Sequence, residues 1–583
     1  MVTNAEIAGR FEEFADLLAA DGVEYKPRAY RRAAENIQAH PVPIGDRVAA
    51  GDEEILEEID GVGDAIASKV VEYVETGQIE ELEELREELP IDIADITRIE
   101  GVGPKTAGKL YRELGVQTLD DLEEAAEAGE IQEIKGFGPK TEENIREGIE
   151  FAREVGQRQL LGEARPLADD VLVFLEGLEA VERCEVAGSI RRWRETIGDV
   201  DALVATERSE DVIEAFVDWD SVDSEIESGP EKASIRVGEI RVDLRVVVPE
   251  EFGSALQYFT GSKDHNVRLR NYAIARDMKL NEYGAFDVSN VDDPESDQRV
   301  GERVAGETEE GMYEALGLPW IPPELREDRG EIAAAENGEL PDLVTREDIR
   351  GDLHTHTEWS DGNTSIEAMV DAAAELGYEF YGVADHAEGP GIVGGMGLSA
   401  TEILEQVEGI REVAAASEIE ILAGIEANVD ADGEIGLTEE VIEALDVIVA
   451  SPHSALDQDA ETATERLVRA IENPAVDVLG HPSGRLLNER SGLEFDARRL
   501  GAAAAEHDTA LEINANPRRL DLWGSAVQAA LKEGAPISIN TDAHQPATLE
   551  YMRWGVHTAR RGWAEPADVI NTWDLEDLRE FLH

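Results

Sequence analysis

Two groups of reactive side chains stand out in this 583-residue sequence, and the first consists of closely spaced acids. The run Gly188-Ser-Ile-Arg-Arg192 is followed by Gly198-Asp-Val-Asp201. If Asp199–Leu203 is a strand, its two-residue period puts Asp199 and Asp201 on one face, about 7 Å apart at the backbone. Carboxylates this close repel each other unless divalent cations neutralise them, and Mg²⁺ prefers such hard oxygen ligands.

A third carboxylate comes from the segment Arg241-Val-Asp243-Leu-Arg245, which also alternates in polarity. Its apolar residues are expected to face the core, so Asp243 points to the open face. Three acids and two Mg²⁺ or Mn²⁺ ions fit in-line nucleotidyl transfer, because one ion lowers the pKa of an attacking 3′-hydroxyl and the other stabilises the leaving pyrophosphate. Ser189 and Arg192 would hold the triphosphate, since arginine offers forked donors to phosphate oxygens. The alternative is a set of exposed acids in an acid-rich chain, which the adjoining Gly188-Ser-x-Arg-Arg motif argues against.

The second group consists of histidines and acids in the C-terminal half. The chain has eleven histidines, and most lie at or just after a predicted strand. Barrel enzymes place ligands at the C-terminal ends of their strands, so these side chains should converge. A mixture of imidazole and carboxylate suits Mn²⁺, Zn²⁺ or Fe²⁺. A lone histidine would more often be structural, but nine candidate ligands in series argue for metal binding. They are His354, His356, Asp361, His386, Glu426, His453, His481, Asp542 and His544.

Three related glycine turns in the first 160 residues form an internal repeat, each followed by an amphipathic helix. They are Ile59-Asp-Gly-Val-Gly63, Ile99-Glu-Gly-Val-Gly-Pro-Lys105 and Ile134-Lys-Gly-Phe-Gly-Pro-Lys140. Glycine lets a backbone approach a phosphate, and the amides of the next helix then bind the anion. A single copy could be a plain helical turn. Three copies indicate DNA-backbone binding by the turn residues Gly61, Gly63, Gly101, Gly103, Lys105, Gly136, Gly138 and Lys140.

The elements around these residues differ along the chain. Helical periodicity dominates to about residue 160, and β-branched segments from about 184 to 250 include the predicted strands Asp199–Ala205 and Glu239–Val248. Residues 319–350, rich in proline and charge, read as a linker. The remainder alternates helices with short apolar strands, which predicts a parallel barrel. Those strands are Phe380–Ala384, Ile419–Ala423, Val447–Ala450, Val476–Gly480, Ala510–Asn514 and Ile537–Asn540.

The amino-acid composition indicates the solvent conditions in which the protein works more than the substrate on which it acts. Acidic residues number 130 against 52 basic ones, for a formal net charge of −78. Such a surface repels DNA in dilute buffer but resembles those of halophilic archaea, whose cytoplasm holds molar salt. One cysteine, Cys184, excludes an internal disulfide framework, and no apolar run reaches the roughly 18 residues of a membrane span. With no visible signal segment, we expect a cytoplasmic protein without a membrane partner.

The residues up to about 320 resemble a family X DNA polymerase of the DNA polymerase beta type. Besides the two acidic blocks, this half contains Tyr258-Phe-Thr-Gly-Ser262, followed by Asn266, Arg270 and Asn281-Glu-Tyr283. The resemblance implies that Tyr258, Phe259 and Gly261 shape the sugar pocket and that Gly188 belongs to the nucleotide site. It further implies that Asn266 contacts the incoming base, that Arg270 contacts the template side and that Arg158 contacts the triphosphate.

The N-terminal 80 residues resemble the lyase domain of that family. The resemblance makes Lys69 a Schiff-base lysine and makes Lys26 and Tyr30 contacts to a 5′-phosphate. Such an amine must be partly deprotonated to attack a sugar aldehyde, which an electropositive pocket favours. The sequence departs from the family pattern at Ala65 and in the acidic segment 78–84, and both departures make the pocket less basic.

The C-terminal half resembles the polymerase and histidinol phosphatase (PHP) domain, a distorted barrel with up to three metal ions. The resemblance makes Glu426 a bridge between two metals and Asp385 a residue that orients its neighbour, and Arg485 is a candidate phosphate ligand. It implies hydrolysis of phosphate esters at a site whose ligands are His354, His356, Asp361, His386, Glu426, His453, His481, Asp542 and His544.

The predicted fold is multidomain, α+β and α/β. It comprises a lyase-like helical domain (1–80), a fingers-like helical domain (81–160), a nucleotidyltransferase palm (161–252), a thumb (253–318), the linker (319–350) and a distorted (β/α)7-type PHP barrel (351–583). The expected function is gap filling in base excision repair on gapped or nicked DNA with dNTPs, coupled to 3′–5′ exonuclease or other 3′-end processing. We expect a monomer that could meet other repair proteins. Two alternatives are a phosphoesterase acting on small phosphate monoesters and a DNA-end-binding scaffold without catalysis.

Overall fold

The computed structural model describes residues 2, 4–23, 26–38, 44–59, 61–97, 99, 102–155, 158–294, 296–389, 391 and 397–582. These residues form a helical N-terminal region, a mixed-sheet palm with a thumb, and a C-terminal parallel barrel, which confirms the predicted fold class. Among them, no helix combines the length and the apolar character that a bilayer span requires.

The N-terminal region is helical because its apolar residues recur at helical spacing. Ile7, Phe11, Phe14 and Leu18 lie on one face of the first helix, and all four are buried. One hydrophobic core runs from Ile7 to Ile149, so the two predicted domains 1–80 and 81–160 share a core. The helices are α1 (Asn4–Asp21), α2 (Lys26–Gln38), α3 (Ile44–Ala49), α4 (Asp64–Thr76), α5 (Glu80–Glu88), α6 (Ile93–Ile96), α7 (Pro104–Leu114), α8 (Leu119–Ala128) and α9 (Pro139–Val155).

The palm is built on a five-stranded sheet of order β2-β4-β7-β6-β5, in which only β4 and β7 run parallel. Strand β4 begins one residue later than predicted, so Asp199 lies just before the strand rather than in it. Its elements are β1 (Gln159–Leu160), α10 (Leu161–Glu176), β2 (Arg183–Val186), α11 (Gly188–Arg191), β3 (Thr196–Ile197), β4 (Val200–Ala205), α12 (Ser209–Val217), β5 (Ser224–Ser228), β6 (Lys232–Val237) and β7 (Ile240–Val247).

The thumb continues through the segment predicted to be a linker. Its elements are α13 (Phe252–Thr260), α14 (Lys263–Ile274), β8 (Met278–Asn281), β9 (Gly284–Asp287), β10 (Glu302–Ala305), α15 (Glu309–Glu314) and α16 (Glu331–Asn337). Ile321, Leu325 and Ile332 are buried in the thumb core, and Arg326 is wholly buried. The prediction of a linker over 319–350 is therefore wrong. The segment is rich in proline and charge, but its apolar side chains pack in the thumb core and its Arg326 forms a buried ion pair.

The C-terminal half is a seven-stranded parallel sheet in sequential order, as predicted. A bridge between Thr355 and Ala543 joins the chain after the first strand to the chain after the last, so the sheet closes at its C-terminal end. Its elements are β11 (Gly351–Asp352), α17 (Ile366–Glu375), β12 (Phe380–Val383), α18 (Ala400–Ala414), β13 (Glu420–Asn428), α19 (Glu439–Ile442), β14 (Val447–Ser451), α20 (Ala460–Ile471), β15 (Val478–Leu479), α21 (Ala497–His507), β16 (Ala510–Asn514), α22 (Gly524–Leu531), β17 (Ile537–Asn540), α23 (Met552–Arg561) and α24 (Leu575–Phe581).

Palm and barrel are not independent bodies. Leu520 and Trp554 of the barrel half are buried in the hydrophobic core of the palm, beside residues such as Leu161 and Ile190. Because burying apolar surface stabilises an interface, this shared core fixes the two halves against each other.

Two candidate metal centres

The palm brings its three acids together as the sequence predicts. The strands β4 and β7 are parallel neighbours, and Asp201 and Asp243 are register partners on them. One ligand atom from each of these and from Asp199 lies within 4.8 Å of the others. The alternation of the strands causes this arrangement, since Val200, Ala202, Val242 and Leu244 are buried in the core while the acids lie on the opposite face.

The electrostatics of these acids favour a cation. Burial, together with the charges of Asp199 and Asp243, raises the pKa of Asp201 to about 7. Burial and the charge of Asp243 likewise raise the pKa of Asp199. One partial counter-charge is present, because Nε of Arg241 lies 2.8 Å from Oδ1 of Asp243. The negative charges of the three carboxylates destabilise one another, and a hard divalent ion bound by their oxygens would relieve that repulsion.

The glycine of the Gly188-Ser motif has a specific steric role. Gly188 has a φ of +63°, and a Cβ there would collide with the carboxylate of Asp201. Ser189 and Arg192 follow on the same turn. Arg192 is largely buried, with Nε 3.1 Å from Oε1 of Glu327 and a hydrogen bond to the carbonyl of Thr260. The predicted triphosphate arginine is therefore held by the thumb.

The remaining predicted nucleotide and template contacts lie on the palm and the thumb. Arg158 donates from Nε to Oγ1 of Thr196 at 2.9 Å, and its charge acts on Asp199. Tyr258, Phe259 and Gly261 lie at the end of α13. Nδ2 of Asn266 donates to the Tyr258 carbonyl at 2.7 Å. Arg270 is exposed on α14.

The repeated turns present open backbone at helix starts. Gly63, Gly103 and Gly138 directly precede or adjoin the first turns of α4, α7 and α9, and a Cβ at each would meet no atom within 4 Å. Gly61 and Gly136 have positive φ values of +76° and +98°. Such surfaces suit the close approach of a phosphate. Lys105 and Lys140 are exposed beside them, and the predicted contact at Gly101 lies outside the described residues.

The candidate lyase lysine has an acidic partner. Nζ of Lys69 lies 2.8 Å from Oε2 of Glu81, and Nζ of Lys26 lies 3.4 Å from Oε1 of the same glutamate. Burial lowers the pKa of Lys69, but the Glu81 hydrogen bond and the nearby Tyr30 outweigh it, so the net shift is upward. Tyr30 is buried beside α1. The lysine is therefore held protonated, the opposite of what attack on an aldehyde needs.

The second centre lies at the C-terminal ends of the barrel strands, where the sequence predicts it. Three groups of side chains there have ligand atoms that all lie within 4.8 Å of one another. The first group is His356, Asp361, His386 and His544, the second is His354, His356 and Asp542, and the third is His386, Glu426 and His453. His481 stands outside these groups, with Nε2 2.9 Å from Oε1 of Glu426. All nine predicted ligands thus lie in one cluster.

Glu426 is the hub of this cluster. Its Oε1 lies 3.3 Å from Nε2 of His453 and 3.5 Å from Nε2 of His354, and its Oε2 lies 2.5 Å from Nδ1 of His386. A carboxylate that faces imidazoles from both oxygens has the geometry of a bridging ligand, which is the role that the PHP resemblance implies.

Several buried polar atoms of the barrel cluster lack a hydrogen-bond partner, as expected of atoms that bind a metal ion. Within the described part of the chain, Nε2 of His354, both ring nitrogens of His356, Nδ1 of His386 and Oε2 of Glu426 make no hydrogen bond although they are buried. The last two atoms are 2.5 Å apart, but their contact does not have the alignment of a hydrogen bond. Such atoms are costly unless something binds them. Burial lowers the pKa of His453 to about 4, whereas at His354 the charges of Glu512 and Glu426 outweigh burial and raise the pKa. A metal binds the neutral imidazole and would displace the proton of such a ring. The cluster fits divalent ions.

Supporting residues were only partly foreseen. The Asp385 carboxylate accepts hydrogen bonds from the amide and hydroxyl of Thr357 at 2.8 and 2.6 Å and so fixes the loop that carries Asp361. The expectation that Asp385 orients its neighbour His386 stays a prediction. The Arg485 guanidinium donates to the carbonyls of residues 519 and 520, and its role as a phosphate ligand stays a prediction.

Sequence reasoning missed three residues at the barrel site. Glu512 accepts from Nδ1 of His354, Asn428 contacts Nδ1 of His453 at 2.7 Å, and Nε of Arg519 lies 3.6 Å from Oδ2 of Asp542. Asn428 is the last residue of β13, at the end of the sheet where the other ligands are, whereas Glu512 lies in the middle of β16. The strand end is the one signal that could have revealed Asn428.

Family models match the helical region, the thumb and the barrel. Residues 2–79 match the family described as helix-hairpin-helix domain, and residues 53–115 and 93–150 match the SAM-like helix-hairpin-helix tandem. Residues 255–327 match the DNA polymerase beta thumb, and residues 352–516 match the PHP domain.

Curated relatives match one or both halves. The chain is 34% identical over 562 residues to "DNA polymerase/3'-5' exonuclease PolX" of Bacillus subtilis, covering 96% of this chain and 95% of the relative. It is 26% identical over 345 residues to DNA polymerase lambda of Rattus norvegicus, covering 56% of each. A probable phosphatase of Caldanaerobacter subterraneus is 31% identical over 210 residues, covering 33% of this chain and 75% of the relative.

Proposed function

The chain belongs to the family X DNA polymerases that carry a C-terminal PHP domain, and from that premise we propose that it fills short gaps in DNA and trims 3′ ends with its barrel site. The protein is a DNA polymerase with 3′–5′ exonuclease activity, as its relative in Bacillus subtilis is named. The gaps, we propose, arise during base excision repair.

One observation carries the polymerase half. Asp201 and Asp243 are register partners on adjacent parallel strands, and Asp199 lies beside them. Mg²⁺ or Mn²⁺ bound there would lower the pKa of a primer 3′-hydroxyl and offset the charge of pyrophosphate. The three carboxylates fix where that hydroxyl and the triphosphate meet, and Arg192 offers forked donors to the phosphate oxygens.

The barrel half handles the phosphodiester at a 3′ end. Mn²⁺, Zn²⁺ or Fe²⁺ ions, up to three, would supply the Lewis acidity for attack of water on phosphorus. The chain contributes imidazoles and carboxylates in fixed orientations. The guanidinium of Arg519, which lies beside Asp542, can bind a phosphate oxygen. The same chemistry serves an exonuclease, a 3′-phosphatase or an abasic-site endonuclease.

The helical region positions gapped or nicked DNA. Its glycine turns hold phosphates by backbone amides, which do not depend on a basic surface. That mode suits a protein of net charge −78 working at high salt in a cytoplasm, and it needs no partner besides DNA and dNTPs. We propose a monomer, open to contact with other repair proteins.

Lyase activity at Lys69 belongs to the same proposal in a restricted form. Glu81 holds the amine protonated, so a 5′-deoxyribose phosphate must displace Glu81 from Lys69 before the amine can attack. Lys26, which shares Glu81, would then be released to the 5′-phosphate.

The likeness to a probable phosphatase supports a second candidate for the barrel, hydrolysis of small phosphate monoesters. The shared metal cluster would serve either substrate. The complete set of palm acids favours DNA as the substrate of the whole chain, because a primer end can be presented to both sites.

The decisive experiment uses a one-nucleotide gapped primer with dNTPs and Mg²⁺ or Mn²⁺, at low and at molar KCl. Wild type should extend it, and the double variant His354→Ala, His356→Ala should extend it equally while losing 3′ trimming. A chain that extends no gapped primer under any of these conditions would defeat the polymerase half. Trimming that survives the double variant, or activity confined to monoesters such as histidinol phosphate, would defeat the exonuclease half.

A further inference from the structure

A helix of the barrel touches the arginine-bearing loop of the palm. Trp193, next to Arg192, has its ring 3.4 Å centroid to centroid from the ring of His557, with an interplanar angle of 6°. Trp554, one turn earlier on the same helix α23, lies 5.7 Å from Trp193. On the other side, the guanidinium of Arg165 lies 4.9 Å from the Trp193 ring. The indole is thus held between the barrel and the palm.

Arg561, at the end of α23, reaches the backbone of the same loop. Its Nη1 donates to the carbonyl of Arg192 at 2.6 Å and lies 3.2 Å from Oε1 of Glu327. That glutamate oxygen also lies 3.1 Å from Nε of Arg192. Arg561 is 4% exposed. The barrel arginine therefore contacts both the main chain of the nucleotide loop and the acid that holds its side chain.

The position of α23 is itself fixed by the thumb. Nδ1 of His557 and Nε of Arg560 lie 2.9 and 2.7 Å from Oε1 of Glu324, which is 4% exposed. Arg329 donates to the carbonyl of Arg561 at 2.5 Å. Because these contacts are partly buried and involve several residues, the helix can serve as a rigid support for the loop.

Removing Arg561 would weaken nucleotide binding in two ways. The Arg192 carbonyl would lose its buried donor, so the loop would hold the guanidinium less firmly. Glu327 would lose one of its cations, so its attraction for Arg192 would compete more strongly with a triphosphate. Both effects act in the same direction.

We propose that Arg561 and His557, on the PHP barrel, are positioning residues for the incoming nucleotide at the polymerase site. The inference rests on the proposed function, since it takes Arg192 as a triphosphate ligand. They act through Arg192 and Trp193 and do not touch the substrate. The barrel therefore has a part in DNA synthesis that is separate from its own hydrolytic site.

The test measures the affinity of the full chain for dNTP when it is bound to gapped DNA. The primer ends in a dideoxynucleotide, so the dNTP can bind but cannot be incorporated. Arg561→Ala should raise the dNTP dissociation constant about tenfold, whereas Arg561→Lys, which keeps one cationic donor, should stay within about threefold of wild type. His557→Ala should raise it about threefold or more. On an extendable primer, KM should rise in Arg561→Ala while kcat changes less than about twofold.

The matched control is Arg553→Ala on the same helix. The Arg553 guanidinium lies over the Trp554 ring at 3.9 Å, with Nη1 3.9 Å from Oδ2 of Asp169. Its removal deletes the same charge but leaves in place the contacts of Arg561 and His557 with the loop. It should bind dNTP as wild type does, and 3′ trimming should persist in all four variants.

Four results would overturn the proposal: unchanged affinity in Arg561→Ala, equal weakening in Arg553→Ala, a lower kcat with unchanged KM, or parallel loss of trimming in Arg561→Ala and His557→Ala. A wild-type chain that extends no primer would overturn the proposed function and this inference with it. A wild type that extends, with Arg561→Ala equal to it, would overturn the inference alone.

Discussion

Nδ1 of His354 and Oε1 of Glu512 lie 2.8 Å apart, and both side chains are wholly buried. Glu512 also accepts hydrogen bonds from the amide of His481 at 2.7 Å and from Nδ2 of Asn540 at 2.9 Å. A carboxylate behind an imidazole fixes the ring and its tautomer, so the opposite nitrogen of His354 is aimed at the cluster.

Glu512→Gln should therefore weaken metal binding at the barrel site about tenfold or more, because the amide orients His354 less well and does not raise its basicity. The measurements are metal content per chain after dialysis and the rise in unfolding temperature on adding Mn²⁺. Glu506→Gln, at an exposed position on α21, is the control. Retention of wild-type metal content in Glu512→Gln would contradict the role assigned to it.

Asp243→Asn should reduce gap filling about a hundredfold or more, since it removes a charge from the three-acid cluster and leaves Arg241 without its anion. The measure is single-turnover extension of a gapped primer, with 3′ trimming of the same DNA as an internal reference. Asp211→Asn, on the exposed face of α12, should extend as wild type does. Loss of both activities together in Asp243→Asn would indicate a folding defect instead.

Much of each site could be predicted because strand alternation leaves a visible pattern. The apolar residues Val242 and Leu244 of β7 predict which way Asp243 points, and the short barrel strands predict that His354 and Asp542 converge. Glu512 could not be found in this way, because one glutamate among 130 acidic residues carries no distinguishing pattern.

The segment 319–350 could not be predicted for a different reason. Arg326 is wholly buried, with Nη1 2.6 Å from Oε1 of Glu309, while Arg191 of the palm lies 2.7 Å from that same oxygen. From composition alone, charged residues such as these are expected at the surface. Glu309 is 17 positions from Arg326 and 118 positions from Arg191, and no local pattern reveals pairs at such separations.

Glu81→Gln should lower the pKa of Lys69, because the Glu81 hydrogen bond and charge raise that pKa and burial alone lowers it. A lysine with a lower pKa supplies its neutral amine at lower pH, so the pH at which half-maximal Schiff-base formation occurs should fall. Borohydride trapping of 5′-deoxyribose-phosphate DNA across pH 6 to 10 measures this shift. Glu84→Gln, exposed on α5, should leave the profile unchanged, and an unshifted Glu81→Gln profile would remove Lys69 as the nucleophile.

Glu324 should make part of the thumb–barrel contact acid-sensitive. Although burial opposes it, His557 and Arg560 lower the pKa of Glu324 from 4.5 to about 2. A carboxyl with a lowered folded pKa stabilises the protein above its unfolded pKa, and this stabilisation is lost as pH falls from about 4.5 towards 2. Glu324→Gln should cost about 2–3 kcal/mol at pH 7. In chemical denaturation, the difference from wild type should shrink between pH 5 and 3, and a constant difference would exclude this ionisation as its cause.

The net charge of −78 should make stability depend strongly on salt. Most acids are exposed, so the folded chain repels itself over the Debye length, which falls from about 10 Å at 0.1 M salt to about 3 Å at 1 M. The unfolding temperature should rise by about 10 °C or more between 0.1 and 2 M KCl, with most of the rise below 1 M. Potassium sulfate at equal ionic strength and sucrose at equal osmolality separate screening from solvent exclusion, since sucrose carries no charge. If sucrose alone reproduces the rise, or if KCl leaves the unfolding temperature flat, charge repulsion is not what salt relieves.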